Sequence, residues 1–513
     1  MSIAQHSPSI ALQLRAVDEV AVAMRDIAQG ETLAPFAFVA REPIPFGHKV
    51  SLVSLMPGAT LHRLGQPIGL ATEAIAAGAH VHTHNLGFEQ SLAERRIGTR
   101  LSNAALVPAA DIPTFRGFLR ADGRAGTRNY VGILTSVNCS SLVARMIADH
   151  FRNPAALNDF PGVDGVVALT HKSGCSVSEG GRSMGMLRRT LGGYARHPNF
   201  CGILLVGLGC EDNQIAALMR DENLVEGPLL RTLVMQDLGG TRASVQAGIA
   251  AVEEMLAIAS RARREPIPAS ELTVGLQCGG SDSFSGITAN PALGAAVDRL
   301  VAFSGTAILS ETPEIYGAEN LLLERAVNRE VGEKLIGLLS WWEDHTRDEP
   351  AGLDNNPSPG NKAGGLTTIL EKSLGAVAKG GSTNLADVIA YADRPVTRGL
   401  VFMDSPGFDP ISATGQVAGG ANLICFTTGR GSCFGCRPAP SLKLATNTPM
   451  FRRMEDDMDI NCGEILDGSA GVDEMGERIF RAMLATASGA PTRSEMLGYG
   501  EDEFAPWHVN AWL

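Results

Sequence analysis

Short apolar runs alternate with helical patterns from Gly117 onward, and this alternation is the feature that most limits the fold of the chain. Strands that alternate with helices indicate βαβ units and a mainly parallel sheet. The sequence therefore predicts an α/β body. Its predicted strands are 130–137, 165–170, 202–209, 229–236, 272–277, 306–309, 399–403, 423–426 and 442–445.

The N-terminal part follows a different pattern. Short alternating strands are predicted at 12–15, 19–23 and 49–53, with Gly and Pro residues between them, which is typical of a small β-rich module. A polar stretch follows, and residues 345–365 interrupt the later α/β pattern. The predicted organisation is a module over 1–85, a linker over 86–116, a first α/β unit over 117–265 and a second over 266–513.

Composition excludes several classes of function. The chain of 513 residues is too long for one ordinary core, and its net charge of −12 argues against nucleic acid or an anionic membrane as the main partner. No signal peptide is recognisable, and the longest uncharged stretch, 410–429, is too rich in Gly, Ser, Thr and Asn to span a membrane. We expect a cytoplasmic protein whose nine cysteines are thiols or metal ligands rather than disulfides. A homo-oligomer is compatible with this size, although no sequence feature specifies an interface.

Reactive side chains follow almost every predicted strand of the body. In open parallel sheets, ligands bind outside the carboxyl ends of the strands. One cysteine at a strand end is usually a packing residue, but four of them together with an imidazole and carboxylates favour a site. The predicted catalytic residues are Cys139, His171, Cys175, Cys210, Glu211, Cys278 and Asp282. Cys201, at the start of a strand, is predicted to be a core residue.

The segment LQCGGSDSFSGITANPALG, residues 276–294, is the most unusual of these strand ends. It leaves a buried strand through a thiol, two glycines and a carboxylate, and it leads into a helix. The glycines allow backbone amides to approach a ligand, and a helix N-terminus favours an anion. The segment is therefore predicted to line the site.

Two later loops are suited to carboxylate recognition. NPSPGNK, residues 356–362, is a rigid turn that presents an amide and an ammonium group, and TTGRG, residues 427–431, presents hydroxyls and a guanidinium. No GxGxxG follows the first strand of the body and no GxxxxGK[ST] occurs, so nicotinamide and nucleotide chemistry have no support. The predicted substrate-binding residues are Glu311, Glu314, Asn361, Lys362, Thr427, Thr428 and Arg430.

Histidines and a cysteine pair suggest metal binding. In HVHTHN, residues 80–85, three imidazoles would point to one side of a strand, and His48 precedes another strand. We predict His48, His82 and His84 as metal ligands; the alternative is a solvated polar strand face. The lone CxxC of Cys433 and Cys436 allows a redox pair, half a zinc site or two ordinary thiols. Together with Cys425 and Cys462, this cysteine pair could bind an iron–sulfur cluster, which is a less favoured alternative.

At these motifs the chain resembles the altronate/galactarate dehydratase family of sugar-acid dehydratases. The resemblance covers nearly the whole chain. It rests on GFLRADGRAGTRN (117–129), GLGCE (207–211), CGGSD (278–282), SGITANP (285–291), NPSPGNK (356–362), FTTGRG (426–431) and MDIN (458–461). It implies an N-terminal SAF (β-clip) module, an aldonic or aldaric acid substrate, Fe²⁺ as the activating metal and a 2-keto-3-deoxy acid product. His82 and His84 favour an altronate-like substrate.

Dehydration of a 2,3-dihydroxy acid removes the C2 proton and the C3 hydroxide, so a base, an acid and a cationic group are needed. We expect His171 to be the general acid or base, because an imidazole titrates near neutrality. The carboxylates are expected to accept hydroxyls or to bind the metal, and Lys362 and Arg430 to bind the substrate carboxylate. The alternatives are a related lyase acting on sulfolactate and a non-catalytic sugar-acid binding protein.

Overall fold

The structure is a computed structural model and describes residues 10–36, 38–88, 95–349 and 352–509. The N-terminal module consists of two small antiparallel sheets, ordered β1-β2-β3-β6 and β4-β5-β7. The prediction of a β-rich start is confirmed. The strands are β1 (Ala11–Leu12), β2 (Val20–Ala23), β3 (Lys49–Ser51), β4 (Thr60–Arg63), β5 (Gln66–Ala71), β6 (His80–Val81) and β7 (Leu86–Gly87).

The first part of the body contains a parallel sheet ordered β11-β10-β12-β13 and a small antiparallel sheet ordered β14-β8-β9. Helices follow the parallel strands, as the sequence predicts. The elements are β8 (Thr114–Leu119), β9 (Ala125–Gly126), β10 (Tyr130–Thr135), α1 (Ser141–His150), β11 (Gly165–Leu169), α2 (Arg182–Ala195), β12 (Phe200–Gly207), α3 (Ile215–Asp221), β13 (Leu230–Val234), α4 (Thr241–Ala259) and β14 (Glu265–Pro268).

The second part of the body is built on a parallel sheet of seven strands, ordered β17-β18-β16-β15-β19-β20-β21. The elements are β15 (Thr273–Cys278), α5 (Ala289–Ala302), β16 (Thr306–Leu309), α6 (Asn320–Leu323), α7 (Arg329–His345), α8 (Pro359–Ala363), α9 (Ile369–Ala378), β17 (Leu385–Ile389), β18 (Gly399–Met403), α10 (Asp409–Ala418), β19 (Leu423–Thr428), β20 (Ser441–Ala445), α11 (Thr448–Arg453), β21 (Ile460–Asn461), α12 (Val472–Ala487) and α13 (Arg493–Leu497).

The apolar runs form strands because both faces of the seven-stranded sheet are covered. All residues of β16, β18, β19 and β20 are buried, which is typical of parallel sheets between helices. The apolar runs did not predict β17, because Asp387 interrupts its apolar residues. Among the described residues, no helix is long and apolar enough to cross a membrane.

Both parallel sheets have a point where the strand order reverses. In the seven-stranded sheet β15 is the first strand along the chain. The strands β16, β18 and β17 lie on one side of it, and β19, β20 and β21 lie on the other. In the four-stranded sheet β10 comes first, and β11 and β12 flank it. Such switch points open a crevice at the carboxyl ends of the strands, where α/β proteins bind ligands.

Candidate functional site

A buried group of ionisable side chains lies at the switch point of the seven-stranded sheet. We call Cys278, Glu311, Glu314, Lys372 and Lys379 the acid–lysine cluster, and each is at least nine-tenths buried. Cys278 ends β15, the glutamates follow β16, and the lysines belong to α9 and its C-terminal end. The fold thus places two carboxyls, two ammonium groups and a thiol at the edge where the sequence predicts a site.

Short contacts connect the members of the acid–lysine cluster. Lys379 Nζ donates to Cys278 Sγ over 2.9 Å and lies 3.9 Å from Glu311 Oε2. Lys372 Nζ donates to Glu314 Oε1 over 2.5 Å and to Asn356 Oδ1 over 2.8 Å. The Asn356 side chain also donates to Glu314 over 3.0 Å. Glu314 Oε1 is therefore fully engaged, which is how a buried carboxylate is normally stabilised.

Glu311 is the exception within this cluster. Its side chain is fully buried, yet neither carboxylate oxygen has a hydrogen-bond partner among the described residues. Its backbone has φ = 75°, in the left-handed region that residues other than glycine seldom adopt. The backbone N–H donates to Ser405 Oγ over 3.0 Å, which helps to hold this conformation. A buried carboxyl that accepts no hydrogen bond, on a strained backbone at a switch point, indicates a functional residue.

The environment separates the pKa values of the neighbouring carboxyls. Burial and the charge of Glu314 raise the pKa of Glu311 well above its ordinary range. Burial alone would raise the pKa of Glu314, but Lys372 and Lys379 lower it to about 2. Asp409, at the start of α10, has its pKa raised to about 7 by burial and by Glu314. Carboxyl groups whose pKa values are driven apart in this way are typical of acid–base sites.

Three members of the cluster could hold a metal ion. One ligand atom each from Cys278, Glu311 and Glu314 lies within 4.8 Å of the other two. The two unpartnered oxygens of Glu311 are free to bind a cation, and the mixture of thiol and carboxylate suits a transition metal. These residues therefore fit a divalent metal.

Asp282, a predicted catalytic residue, holds two loops together. Its carboxylate accepts hydrogen bonds from Ser285, Thr446 and Asn447 at distances of 2.9 to 3.1 Å. A Cβ added to Gly429 would lie 2.1 Å from Asp282 Cγ, so the glycine is needed for the close approach. Burial raises the pKa of Asp282. Both carboxylate oxygens of Asp282 accept hydrogen bonds, so this residue is a structural anchor of the site.

The predicted substrate-binding residues fall into two groups. Asn361 completes the capping box of Ser358 in α8 and donates to Ser281 O over 2.8 Å, and Thr428 Oγ1 accepts from Gly431 N, so both stabilise loops. Thr427 is buried and its hydroxyl has no partner among the described residues. The side-chain nitrogens of Lys362 and Arg430 are likewise free of hydrogen bonds to the described part of the chain, and Arg430 is exposed. These last two cations remain available for a carboxylate.

The histidines of the N-terminal module do come together. His48, His80, His82 and His84 form what we call the imidazole cluster, with ring centroids 4.8 to 5.5 Å apart. His48 Nδ1 is 2.9 Å from His80 Nε2. Burial lowers the pKa of His80 to about 3 and that of His82 to about 4, so both are neutral at pH 7.

The imidazole cluster contacts the C-terminal end of α8. His82 Nε2 donates to Lys362 O over 3.0 Å and His48 Nε2 to Ala363 O over 3.3 Å, which occupies one nitrogen of each ring. Among the described residues, no three of these rings bring their nitrogens as close together as the ligand atoms of the Cys278 group. The geometry thus favours the acid–lysine cluster over these histidines as the place for a metal, and the role predicted for His48, His82 and His84 stays a prediction.

A second buried ion cluster fixes the module on the body. Lys49 Nζ donates to both oxygens of Glu371 over 2.9 Å, and Arg63 Nη1 donates to Glu371 Oε1 over 2.5 Å. Lys49 also donates to Gly365 O over 2.6 Å. Burial alone would raise the pKa of Glu371, but Lys49 and Arg63 lower it to about 2. A cavity of about 20 Å³ beside this contact has room for one water molecule.

The other predicted catalytic residues belong to the four-stranded sheet. His171 is buried; its Nε2 donates to Thr135 O over 2.8 Å, and its Nδ1 accepts from Ser173 N over 3.1 Å. Burial lowers its pKa to about 4. Glu211 accepts from Ser136 Oγ and Gly209 N over 2.6 Å each. Cys139, Cys175 and Cys210 are exposed at the carboxyl edge.

The remaining cysteines do not form a common group. Cys425 and Cys462 lie in one apolar cluster and Cys436 in another, while Cys433 is exposed. Burial raises the pKa of Cys436 to about 12. Cys201 is largely buried, and its thiol donates to Tyr130 O over 3.0 Å. These environments are those of packing thiols, Cys433 excepted.

Sequence reasoning missed several residues of the site, namely Lys49, Arg63, Glu371, Lys372, Lys379 and Asp409. One signal was available for the two lysines of α9. Lys372 and Lys379 are seven residues apart, so they share a helix face, and small residues surround them in SLGAVAKGG. A charged pair on an otherwise apolar face indicates a buried partner of opposite charge.

Comparisons with known proteins agree with this architecture. Sequence models of three family domains match the chain: the altronate/galactarate dehydratase SAF domain at 9–89, the second domain of D-galactarate dehydratase/altronate hydrolase at 117–260, and the D-galactarate/altronate dehydratase C-terminal domain at 269–511.

Curated relatives cover almost the same span. Altronate dehydratase from Bacillus subtilis (strain 168) is 34% identical over 96% of this chain and 97% of its own length. Galactarate dehydratase (L-threo-forming) from Escherichia coli (strain K12) is 35% identical over 95% of each chain. The (2R)-sulfolactate sulfo-lyase subunit beta from Chromohalobacter salexigens is 30% identical over 76% of this chain and 96% of its own.

Proposed function

Because this chain belongs to the altronate/galactarate dehydratase family and is an enzyme of its hydro-lyase type, we propose that it dehydrates a sugar acid to the 2-keto-3-deoxy acid. The substrate class is an altronate-like aldonate or a galactarate-like aldarate. We place this activity in the cytoplasm. The observation that carries the proposal is the buried Glu311 at the switch point, whose carboxylate has no hydrogen-bond partner among the described residues.

The reaction sets three chemical demands. A proton next to a carboxylate is only weakly acidic, so its removal needs a positioned base and a cation near the developing enediolate. The departing C3 hydroxide needs an acid or a Lewis acid. The resulting enol then becomes the 2-keto acid. The described residues at the switch point include candidates for each demand.

The positively charged side chains of Lys362 and Arg430 would bind the substrate carboxylate. The side-chain nitrogens of Lys362 and Arg430 have no hydrogen-bond partner among the described residues, and Arg430 follows β19 beside the switch point. The Arg430 backbone N–H donates to Gly280 O over 2.8 Å, which places its loop against the one that follows Cys278. A guanidinium there can bind a carboxylate through two parallel hydrogen bonds.

Asp409 is our candidate for the base. It is only partly exposed, its pKa of about 7 suits proton transfer at neutral pH, and it begins a helix at the same sheet edge. A Cβ on Gly279 would lie 2.1 Å from Asp409 Oδ2, so the carboxylate contacts the backbone that directly follows Cys278. His171, the base expected from the sequence, has both ring nitrogens occupied.

Cys278, Glu311 and Glu314 would hold a divalent metal, for which Fe²⁺ is the ion that the resemblance implies. When bound, such a metal would act as a Lewis acid toward substrate oxygens. Lys372 and Lys379 keep two positive charges beneath the site and stabilise the ionised Glu314. Thr427, whose hydroxyl is unpartnered, pairs with Cys278 across the strands and can donate to a substrate oxygen.

The N-terminal module would close the site. Lys49, Arg63 and Glu371 fix it on the body, and the cavity that remains beside Cys278 and Lys372 is too small for a sugar acid. We therefore propose that the module moves to admit the substrate and then excludes water from the reaction, as closing lids do.

A second candidate function is the cleavage of sulfolactate. The similarity to a sulfo-lyase subunit beta over 96% of that subunit favours it. The same C2 proton would be removed, with sulfite as the leaving group in place of hydroxide. The two reactions differ in product, so one assay separates them.

The test is an anaerobic turnover assay of the full chain with Fe²⁺ on a panel of aldonates, aldarates and sulfolactate, with detection of 2-keto acid and sulfite. A keto-deoxy product from one sugar acid, absent with Asp409→Asn and retained with the control Asp393→Asn, supports the proposal. Sulfite from sulfolactate alone would replace it with the second candidate. Sugar-acid binding without product would identify a binding protein instead.

A further inference from the structure

Three thiols lie outside the proposed reaction centre. Cys139, Cys175 and Cys210 follow β10, β11 and β12, three neighbouring strands of the four-stranded sheet. We propose that these cysteines together bind a cubane [4Fe–4S] cluster through three of its irons. The proposal does not rest on the sugar-acid reaction, since it concerns a different sheet and has its own readout.

The topology brings the three thiols to one crevice. β10 lies in the middle, with β11 on one side and β12 on the other, so the strand order reverses at β10. Cys139 follows the central strand, while Cys175 and Cys210 come from the two flanking loops. The carboxyl ends of parallel strands meet at the same edge, and the switch point is where that edge is open to a ligand.

Exposure distinguishes these thiols from the other cysteines. All nine cysteines are free, and only four are exposed: the three of this crevice and Cys433. Free cysteines are normally among the most buried residues, because an accessible thiol is open to oxidation. A concentration of exposed thiols at one sheet edge is therefore better explained by a ligand than by packing.

The loops that carry the thiols are fixed to one another. Asn138 N donates to Ser173 O over 2.9 Å, and Asn213 N donates to Gly174 O over 3.0 Å. A Cβ on Gly174, which has φ = 101°, would lie 2.3 Å from Ser136 O. The buried Glu211 joins two of the loops through Ser136. Such contacts between the loops hold the cysteine ligands in place before the cluster binds.

A single ion held by all three sulfurs does not fit their arrangement. Thiolates on one tetrahedral Zn²⁺ lie about 2.3 Å from the metal and hence at most about 4.6 Å from each other. The described residues contain one group with ligand atoms all within 4.8 Å, and it is the group of Cys278, not these three cysteines. An iron–sulfur cluster is wider, because each thiolate binds a different iron.

The surroundings suit the charge of such a cluster. Helix α1 begins at Ser141, two residues after Cys139, so its N-terminus favours the negative charge of a thiolate-bound cluster. The loop after Cys175 leads to Arg182, whose guanidinium lies 4.4 Å from the ring of Trp341 in the second part of the body. With three thiolates bound, the fourth iron keeps an open position.

Binding can be tested without a redox step. A synthetic [4Fe–4S]²⁺ complex with small thiolate ligands transfers its core by exchange: three cysteine Sγ–Fe bonds form, three small-thiolate–Fe bonds break, and each cysteine proton passes to a departing thiolate. The oxidation state of the core does not change. The full chain without metal, under anaerobic conditions, is the acceptor.

We expect the chain to retain about four irons and about four sulfides after desalting, together with a broad visible absorption and a paramagnetic signal on one-electron reduction. Cys139→Ser, Cys175→Ser and Cys210→Ser should each lower the retained sulfide at least several-fold, while Cys433→Ser, the matched exposed control, should retain it. Because all four side chains are exposed, the thermal midpoints of the metal-free variants should match that of the unaltered chain.

Retained sulfide that does not depend on these three cysteines, or an equal loss in Cys433→Ser, would overturn the proposal. Binding of one Zn²⁺ per chain with no retained sulfide would also overturn it. A chain that holds the cluster but turns over no sugar acid leaves this inference standing and contradicts the proposed function. The two failures are therefore distinguishable.

Discussion

Lys379 and Cys278 are joined inside the second part of the body by a hydrogen bond of 2.9 Å from the ammonium nitrogen to the sulfur. Both side chains are at least 97% buried. Burial raises the pKa of the thiol to about 12, so the charge that balances the ammonium comes chiefly from Glu314, whose pKa is lowered to about 2. The contact fixes a positive charge directly beneath the switch point of the sheet.

Replacement of Lys379 by Met should therefore impair both catalysis and folding. Loss of the ammonium leaves Glu311 and Glu314 with Lys372 as the nearby cation, and breaking a buried ion cluster typically costs about 3–5 kcal/mol. We expect turnover to fall by roughly 100-fold or more. Urea denaturation and steady-state kinetics check both effects. Lys334→Met, at an exposed ion pair on α7, is the control, and equal behaviour of the two variants would contradict the role of Lys379.

Replacement of His171 by Asn distinguishes a proton carrier from a structural residue. Thr135 O can only accept and Ser173 N–H can only donate, so the ring is neutral with both nitrogens occupied. The Asn amide can replace the bond to Ser173. We expect a lower stability, by about 1–3 kcal/mol, and a turnover number of the folded enzyme within about tenfold of the unaltered value. A complete loss of turnover in a folded variant would restore the acid–base role expected from the sequence.

Replacement of Asp282 by Asn should destabilise the site although the two side chains have the same shape. Asp282 Oδ2 accepts from both Thr446 and Asn447, and an amide nitrogen in its place would face donors. We expect the free energy of unfolding to fall by about 2–4 kcal/mol. Thr446→Val, which removes one of the donors but keeps the carboxylate, should cost less. A stable but inactive Asp282→Asn would instead indicate a direct part in catalysis.

The attachment of the N-terminal module should depend on acid pH through Glu371. Its pKa of about 2 lies below the ordinary 4.5, so its contribution to stability is full above about pH 4.5 and is lost as the pH falls toward 2. The shift corresponds to about 3 kcal/mol. Unfolding free energies of the unaltered chain should decline over this range more steeply than those of Glu371→Gln. If the unfolding free energy fell equally steeply with pH in the unaltered chain and in Glu371→Gln, the role assigned to Glu371 would be refuted. The control is Glu333→Gln, which removes an exposed carboxylate.

The general architecture could be predicted from the sequence because the apolar runs are continuous where both faces of a sheet are buried. The strand ends then indicated Cys278, Glu311 and Glu314, since topology alone brings the carboxyl ends of parallel strands together. Lys372 and Lys379 were missed because a lysine in a helix is normally solvated. Only the packing of α9 against the site shows that these two are buried.

The proton states of the site could not be predicted from residue types. A histidine was the expected acid or base because of its ordinary pKa, whereas the structure occupies both nitrogens of His171 with backbone groups. Asp409 has an unremarkable ordinary pKa, and burial together with Glu314 moves it to about 7. Such shifts depend on burial and on neighbours that are distant in the sequence.

The central claim, that Glu311 acts at the reaction centre, is tested most directly by Glu311→Gln with turnover and thermal stability measured on the same preparation. The carboxylate makes no hydrogen bond to a described residue, so an amide of the same shape removes no hydrogen bond. We predict a loss of turnover of roughly 100-fold or more, with a free energy of unfolding equal to or higher than that of the unaltered chain. Near-normal turnover in the folded variant would contradict the claim.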